Sequence, residues 1–307
     1  METGMEELIG KVKLNLDYYD GEDSYSDGDV ENEILDIVKN HDASEYNSII
    51  AEKKSWPVLY HLSHLRGNII KSMPIGKNDE VLEIGAGCGA VSQSLVKKAG
   101  KLVCVDLSKR RSMINAYRNK EADNLELIVG NFQNVEPHLG KFDVITLIGV
   151  LEYAALYIKA EKPYEEFLKI IKKHLKPGGR LYVAIENRYG MKYWAGCQED
   201  HLGGLFRGIE GYRKEDGVET FGRNSLLQLV ENAGFEKCRF FYPYPDYKFP
   251  ISIYSDDYLP EKGDLVRNSM NFDRPKVYMF EESRVYDGIL DEKAYPFFAN
   301  SFLLEIV

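Results

Sequence analysis

Three glycines at alternate positions, Gly85, Gly87 and Gly89, stand in the run VLEIGAGCGAV, between an apolar stretch and an amphipathic one. Glycine is needed where a backbone must turn tightly and let a ligand approach without side chains between. Glu83 lies two residues before the first glycine, and Asp106 lies seventeen after the last, at the end of the next apolar run. A carboxylate placed there can accept hydrogen bonds from both hydroxyls of a ribose. A second concentration of reactive groups is ENRYGMKYWAGCQEDHLGG, residues 186–204, which closes on Glu199, Asp200 and His201. An imidazole oriented by a neighbouring carboxylate can act as a base. The same triplet can equally cap a short helix and leave His201 facing solvent. Glu152 and Tyr153, after a later apolar run, are rival catalytic candidates.

These residues need a scaffold that brings chain ends together, and the middle of the sequence supplies one. EVLEIGAG, KLVCVDLS, LELIVGNF, KFDVITLIGV and RLYVAI read as strands, with helical patterns between them such as AVSQSLVKKAG and PYEEFLKIIKKHLKPGG. Strands alternating with helices predict an α/β fold on a parallel sheet. SLLQLVENAGF, KCRFFYPY and SFLLEIV continue as a helix, a sixth strand and a last strand. The last strand has no helix signal directly before it, which suits an antiparallel edge. Two tracts, about 187–222 and 246–300, break the alternation and are too long for plain loops. They read as insertions forming a lid or a substrate-binding annex. Tyrosines and carboxylates in PYPDYKFPISIYSDDYLP suit a sugar ring, a subunit interface or simple packing. Residues 1–75 divide into an acidic segment and a helical cover, with residues 76–307 as the main domain.

Composition narrows the chemistry further. The 307 residues carry 39 Lys plus Arg against 49 Asp plus Glu, a net charge of −10, which disfavours a nucleic-acid partner. The basic run SKRRSMINAYR reads as a solvated helix face. Four dispersed cysteines and six histidines show no metal-ligand spacing, so no metal is expected. An EF-hand frame starting at Asp23 fails, because Tyr25 and Ile34 occupy ligand positions. No run approaches ~18 apolar residues, and METGMEELIG lacks the pattern of a secretory signal, so a cytoplasmic protein without a membrane span is expected.

Glu-x-Gly-x-Gly-x-Gly, Asp106 and LKPGGRLYVA together resemble the class I S-adenosylmethionine-dependent methyltransferases, over roughly Lys77 to Phe240 plus the terminal strand. The resemblance implies a doubly wound, Rossmann-like, seven-stranded sheet with its last strand antiparallel. It implies S-adenosylmethionine as cofactor and S-adenosylhomocysteine as product. Glu83 and the Gly85–Gly89 loop would hold the methionine end, and Asp106, with Leu107 beside it, the ribose. Asn131 and Phe132 would flank the adenine, with the Asn131 oxygen meeting the amino group. Ile148 and Val150 would line the sulfonium. WPVLYHLSHLRGNII, IGVLEYA and the 186–204 stretch resemble bacterial methyltransferases of cell-surface polysaccharide and lipopolysaccharide pathways. That points to a small-molecule or glycan acceptor, a sugar hydroxyl first among them. His201 would be the base, with Asp200 or Glu199 orienting it and Glu152 as rival; a homodimer is compatible with the aromatic tract.

Two other readings compete. Gly85-x-Gly87-x-x-Ala90 formally satisfies a dinucleotide fingerprint, which would make the chain an NAD(P)-dependent oxidoreductase. Glu83 would repel a pyrophosphate, and no second βαβ half is evident for a nicotinamide. The third reading is a non-catalytic cofactor-binding interaction protein, against which the intact loop and its two carboxylates weigh.

Overall fold

The computed structural model describes residues 6–23, 26–268 and 274–307. The chain forms two compact units, Met1–Leu147 with Lys173–Arg180, and Ile148–Lys172 with Leu181–Val307. The helical N-terminal region therefore shares a unit with the glycine loop rather than standing apart before residue 76.

The first unit is built on β1 (Glu6–Ile9), β2 (Val12–Tyr18), β3 (Glu80–Ile84), β4 (Lys101–Asp106), β5 (Leu125–Gly130) and β6 (Phe142–Ile148). They lie side by side in the order β1-β2-β5-β4-β3-β6. β1 and β2 form an antiparallel hairpin, and the remaining neighbours are parallel. β3, β4 and β6 are Val, Leu and Ile runs buried almost throughout, as parallel strands covered on both faces must be.

The first unit's helices are α1 (Val30–Asn40), α2 (Tyr46–Lys53), α3 (Trp56–Leu62), α4 (Ser92–Lys98), α5 (Lys109–Arg118) and the single turn α6 (Phe132–Val135). Ile34, Ile37 and Val38 of α1, Tyr46 of α2, and Val58 and Leu62 of α3 form one buried cluster with Cys88 and Ile114. Cys88 belongs to the glycine loop, so the N-terminal helices pack directly on that loop.

The basic run is not a solvated face. Arg111 pairs with Glu31 at 2.7 Å and with Asp27 at 3.0 Å, both sequence-distant acidic residues. His61 Nε2 lies 2.8 Å from Asp27 Oδ2. Arg118 donates to the carbonyls of His61 and Leu62. Asp23 accepts from the N–H groups of Lys109 and Arg110, at 2.7 and 3.3 Å, which places a carboxylate on the positive end of α5. The acidic segment thus clamps a helix; Ser24 and Tyr25 of the calcium frame lie outside the described residues.

The second unit contains α7 (Ala154–Tyr157), α8 (Pro163–Lys173), β7 (Leu175–Glu186), α9 (Met191–Trp194), α10 (Arg207–Glu210) and α11 (Arg223–Asn232). Beyond them come β8 (Cys238–Tyr244), β9 (Ser252–Ser255), α12 (Glu282–Asp291), α13 (Tyr295–Phe298) and β10 (Ser301–Ile306). The first half of β7 and the last residue of α8 count with the first unit. The strand order is β7-β10-β8-β9, antiparallel at every step.

Two expectations are corrected here. The described residues hold ten strands, not seven; β1, β2 and β9 are the additions. β10 is antiparallel as expected but is not an edge: it lies between β7 and β8, and β9 forms the edge beyond. The helices α12 and α13 stand directly before it, and Val285, Tyr286, Ile289 and Leu290 of α12 do recur at helical spacing. Both insertions carry structure of their own, and residues 269–273 of the second lie outside the described residues. Several of its aromatic residues serve packing, Tyr247 and Tyr254 being buried while Tyr258 and Tyr278 are exposed; Asp246 pairs with Lys192, and Asp256 pairs with Arg223. No helix among the described residues is long and apolar enough to cross a membrane.

Candidate active site

The glycine loop leaves the C-terminal end of β3 and enters α4. Gly85, Gly87 and Gly89 take φ values of +73°, +52° and +76°, which side chains rarely adopt. The reasons differ along the loop. A Cβ on Gly89 would lie 2.3 Å from Asn115 Oδ1, so this glycine lets α5 pack closely. A Cβ on Gly87 would meet nothing within 4 Å, so its bareness serves no packing need. Gly85 N–H donates to Val105 O at 2.8 Å, tying the loop to β4.

Asp106 ends β4 and accepts from two backbone donors, Gly87 N–H at 2.7 Å and Ser108 N–H at 2.9 Å. Burial raises its pKa despite these bonds. Each carboxylate oxygen keeps lone-pair capacity beyond the one bond it accepts. Glu83 is buried, and its Oε2 accepts from Ser92 Oγ at 2.5 Å and Cys104 Sγ at 3.3 Å. Asn115 Nδ2 donates in turn to Ser92 Oγ at 2.9 Å. Burial pushes the Glu83 carboxyl up to about 7. Leu107 is half-buried beside Asp106. Asn131 precedes α6, and its Oδ1 accepts the Gln133 N–H at 3.0 Å. The oxygen expected to meet an adenine amino group therefore also caps a helix, with one lone pair left for that amino group. Phe132 is half-buried at the first position of α6.

Glu83, the three glycines, Asp106, Leu107, Asn131 and Phe132 are all carried by the first unit, at β3, β4, β5 and the segments that follow them. Ile148, buried, and Val150, half-buried, fall in the second unit. The first group fits an S-adenosylmethionine nucleoside and methionine: the Gly87 backbone is bare toward open space, and a carboxylate ends each of two adjacent strands or sits beside its end.

The second unit gathers a different group. Glu152 lies in a 3-10 turn, Leu151–Tyr153, directly after β6. Glu186 is the last residue of β7, and His201 sits in the turn that follows Glu199. One donor atom of each lies within 4.8 Å of the other two. Glu152 and Glu186 are buried, and the His201 side chain is 9% exposed. Tyr153 Oη and His201 Nδ1 are 2.8 Å apart, with the rings edge to face. His201 Nε2 faces Glu186 Oε2 at 3.5 Å. Lys248 pairs with the other oxygen of Glu186 and, at 3.0 Å, with Asp200 Oδ1. Lys192 closes the chain, 2.8 Å from Asp200 Oδ2 and 2.7 Å from Asp246 Oδ2.

Electrostatics separates these groups. Burial raises Glu152 to about 8, and the Glu186 charge adds to it. Burial also opposes ionisation of Glu186, but Lys248 and His201 outweigh it and hold that carboxyl far below its ordinary value. For His201 burial is the largest single influence and depresses the pKa. Glu186, Glu152 and Glu199 together reverse it, to about 9.

The expected roles are redistributed accordingly. Glu199 caps the turn, accepting from the N–H groups of His201 at 2.8 Å and Leu202 at 2.5 Å, as the capping alternative anticipates. His201 is nonetheless turned inward, not toward solvent. Asp200 does not orient the imidazole; it bridges two lysines and accepts from the Tyr193 hydroxyl. Tyr153 takes the orienting place. Glu186 was missed although it carries a readable signal, a carboxylate closing the apolar run RLYVAI at the end of a strand where ligands gather. Lys248 gives no such signal.

Known proteins place this geometry. A family described as a methyltransferase domain matches residues 82–181. A ubiquinone biosynthesis O-methyltransferase of Hydrogenovibrio crunogenus is 25% identical over 213 residues, 64% of this chain and 85% of that protein. A ribosomal RNA small subunit methyltransferase A of Borreliella afzelii is 32% identical over 93 residues, 30% of this chain and only 33% of that enzyme. The crystal structure of a SAM-dependent methyltransferase from Archaeoglobus fulgidus superposes with a TM-score of 0.50 at 13% identity, covering 82% of this chain and all of that one. The match spans the glycine loop, Asp106, Asn131 and β6; residues 82–181 thus resemble a methyltransferase domain, and with the relatives this indicates an S-adenosylmethionine-dependent methyltransferase.

Proposed function

We propose that the chain methylates a hydroxyl oxygen of a small-molecule or glycan acceptor, a sugar hydroxyl being the preferred class. The observation that supports this most is the buried group of Glu152, Glu186 and His201, in which one ligand atom of each lies within 4.8 Å of the other two. When bound, S-adenosylmethionine supplies the methyl group on a sulfonium and leaves as S-adenosylhomocysteine. The loop Gly85–Gly89, Glu83, Asp106, Leu107, Asn131 and Phe132 hold and orient it. His201, once it has itself lost its proton, takes the proton that the acceptor must lose, so turnover should rise with pH toward about 9. Tyr153 fixes the imidazole, and Lys248 fixes Glu186. An aliphatic hydroxyl gives up its proton far less readily than a phenol, whose pKa is about 10. Exposed aromatic faces support the glycan class: Trp194, and Phe297 stacked on Tyr189 at 5.1 Å, come from the two insertions.

The name of the Hydrogenovibrio relative favours a second reading, a phenolic hydroxyl on a quinone precursor. Transfer of a labelled methyl group to a panel of sugar nucleotides, free glycans and catechols separates the two. Sugar O-methyl product, with turnover lowered by ~10²–10⁴ in His201→Gln and Glu152→Gln, is the expected result. Methyl recovered only on catechols would select the phenolic reading. Methyl recovered on nitrogen, or undiminished turnover in both variants, would overturn the proposal.

A further inference from the structure

Glu152 Oε2, Glu186 Oε2 and His201 Nε2 are all buried and have no hydrogen-bond partner among the described residues. Buried polar atoms are satisfied in the great majority of cases; one ligand atom of each residue lies within 4.8 Å of the other two, and His201 Nε2 meets Glu186 Oε2 only across 3.5 Å, so the three side chains call for a common partner. We propose that these three side chains bind one divalent transition cation of the Mn²⁺ or Zn²⁺ type. The site concerns the same side chains as the proposed function and deepens that reading; its test needs no acceptor.

The surrounding charges favour a cation of that valence. The ion-pair chain with Glu152 contains four carboxylates, Glu152, Glu186, Asp200 and Asp246, against the two ammonium groups of Lys192 and Lys248. With both glutamates ionised and the imidazole neutral, the form in which all three can ligate a metal, the formal excess is two negative charges. One divalent cation removes it. The donor set selects the kind of metal. Mg²⁺ and Ca²⁺ prefer all-oxygen shells, whereas an imidazole with two carboxylates suits Zn²⁺ or Mn²⁺. Metal–ligand bonds of about 2.0–2.2 Å require donors about 3–3.5 Å apart. His201 Nε2 and Glu186 Oε2 already stand 3.5 Å apart.

The outer partners are already in place. Tyr153 holds Nδ1, which leaves Nε2 as the metal-facing nitrogen, and Lys248 holds the second oxygen of Glu186. Three protein ligands leave a position for an acceptor hydroxyl, whose acidity a bound cation would raise. Spacing along the sequence hides this set, since its members lie 34 and 15 residues apart on separate elements.

The experiment is titration of the chelator-treated full chain with MnCl₂ and with ZnSO₄, by calorimetry and, for manganese, by electron paramagnetic resonance. Wild type is expected to bind one ion per chain and to melt at a higher temperature with it. Glu152→Gln and His201→Gln should each weaken binding at least tenfold, and Tyr153→Phe by about 10–100-fold. S-adenosylhomocysteine binding, measured on each variant, certifies that it is folded. No ion bound by a folded wild-type chain, or unchanged affinity in both ligand variants, overturns the site. Metal binding without methyl transfer to any hydroxyl would sink the function reading alone, and hydroxyl methylation by a chain that binds neither ion would sink the cation site alone.

Discussion

At the scale of single residues, the loop glycines make separable contributions. Gly87→Ala introduces a Cβ into open space, at a backbone cost of about 1–2 kcal/mol for a left-handed conformation. Gly89→Ala incurs the same cost and also drives its methyl into Asn115, adding about 1–3 kcal/mol of overpacking. Urea unfolding should therefore show the second variant as clearly the less stable. Calorimetry should show that Gly87→Ala, although folded, loses affinity for S-adenosylhomocysteine. A variant Gly87→Ala that binds as wild type would mean the open space is not where the cofactor lies. These glycines and Asp106 were readable because one strand–turn–helix unit contains nearly everything that defines them. Glu186 and Lys248 were not, because their meeting with His201 depends on how distant segments are brought together. Asp200 shows the converse error: adjacency in sequence to His201 was taken for partnership, while the turn points its carboxylate at two lysines instead.

At the scale of elements, α5 is held from outside its own segment. Arg111 is buried against Glu31, a residue in α1 with no exposed side-chain surface, so deletion of the guanidinium strands a buried carboxylate. Arg111→Ala should cost about 3–5 kcal/mol in denaturant unfolding. The double change Arg111→Met with Glu31→Leu should recover most of that loss, because both charges then leave together. A single variant within about 1 kcal/mol of wild type would show the pair to be solvated after all. The hydrophilic look of SKRRSMINAYR concealed this, since charge content alone does not say which way an arginine turns. The β1–β2 hairpin was concealed differently. Val12, Leu14 and Leu16 alternate with Lys13, Asn15 and Asp17 and are buried where the latter are not fully so. That period of two was legible, but seven residues amid an acidic stretch read first as composition and only second as pattern.

At the scale of the whole molecule, the cofactor should act as a ligand of the native state only. At free S-adenosylmethionine a hundredfold above its Kd, the chain should gain about 2.7 kcal/mol, read as a rise in melting temperature. NADH should give no rise, and Asp106→Ala should lose the effect while retaining the circular dichroism of the fold. A rise with NADH alone would restore the dinucleotide reading. The core strands and their order of appearance were legible because hydrophobic periodicity is local. The extra strands and the interior place of β10 were not, because strand neighbours are a property of topology.

One earlier feature bears on how such a protein could be divided or recombined. The segment that resembles other methyltransferases begins at residue 82, yet Cys88 and Ile114 within it are roofed by apolar side chains that all precede it. The partners of Arg111 and Arg118 described above also precede it. The matched segment is therefore not an excisable cassette. Transplanted alone, it would expose apolar surface and take Glu31 and Asp27 from Arg111 and two carbonyls from Arg118, and a graft between relatives would have to carry the upstream helices as part of the same module.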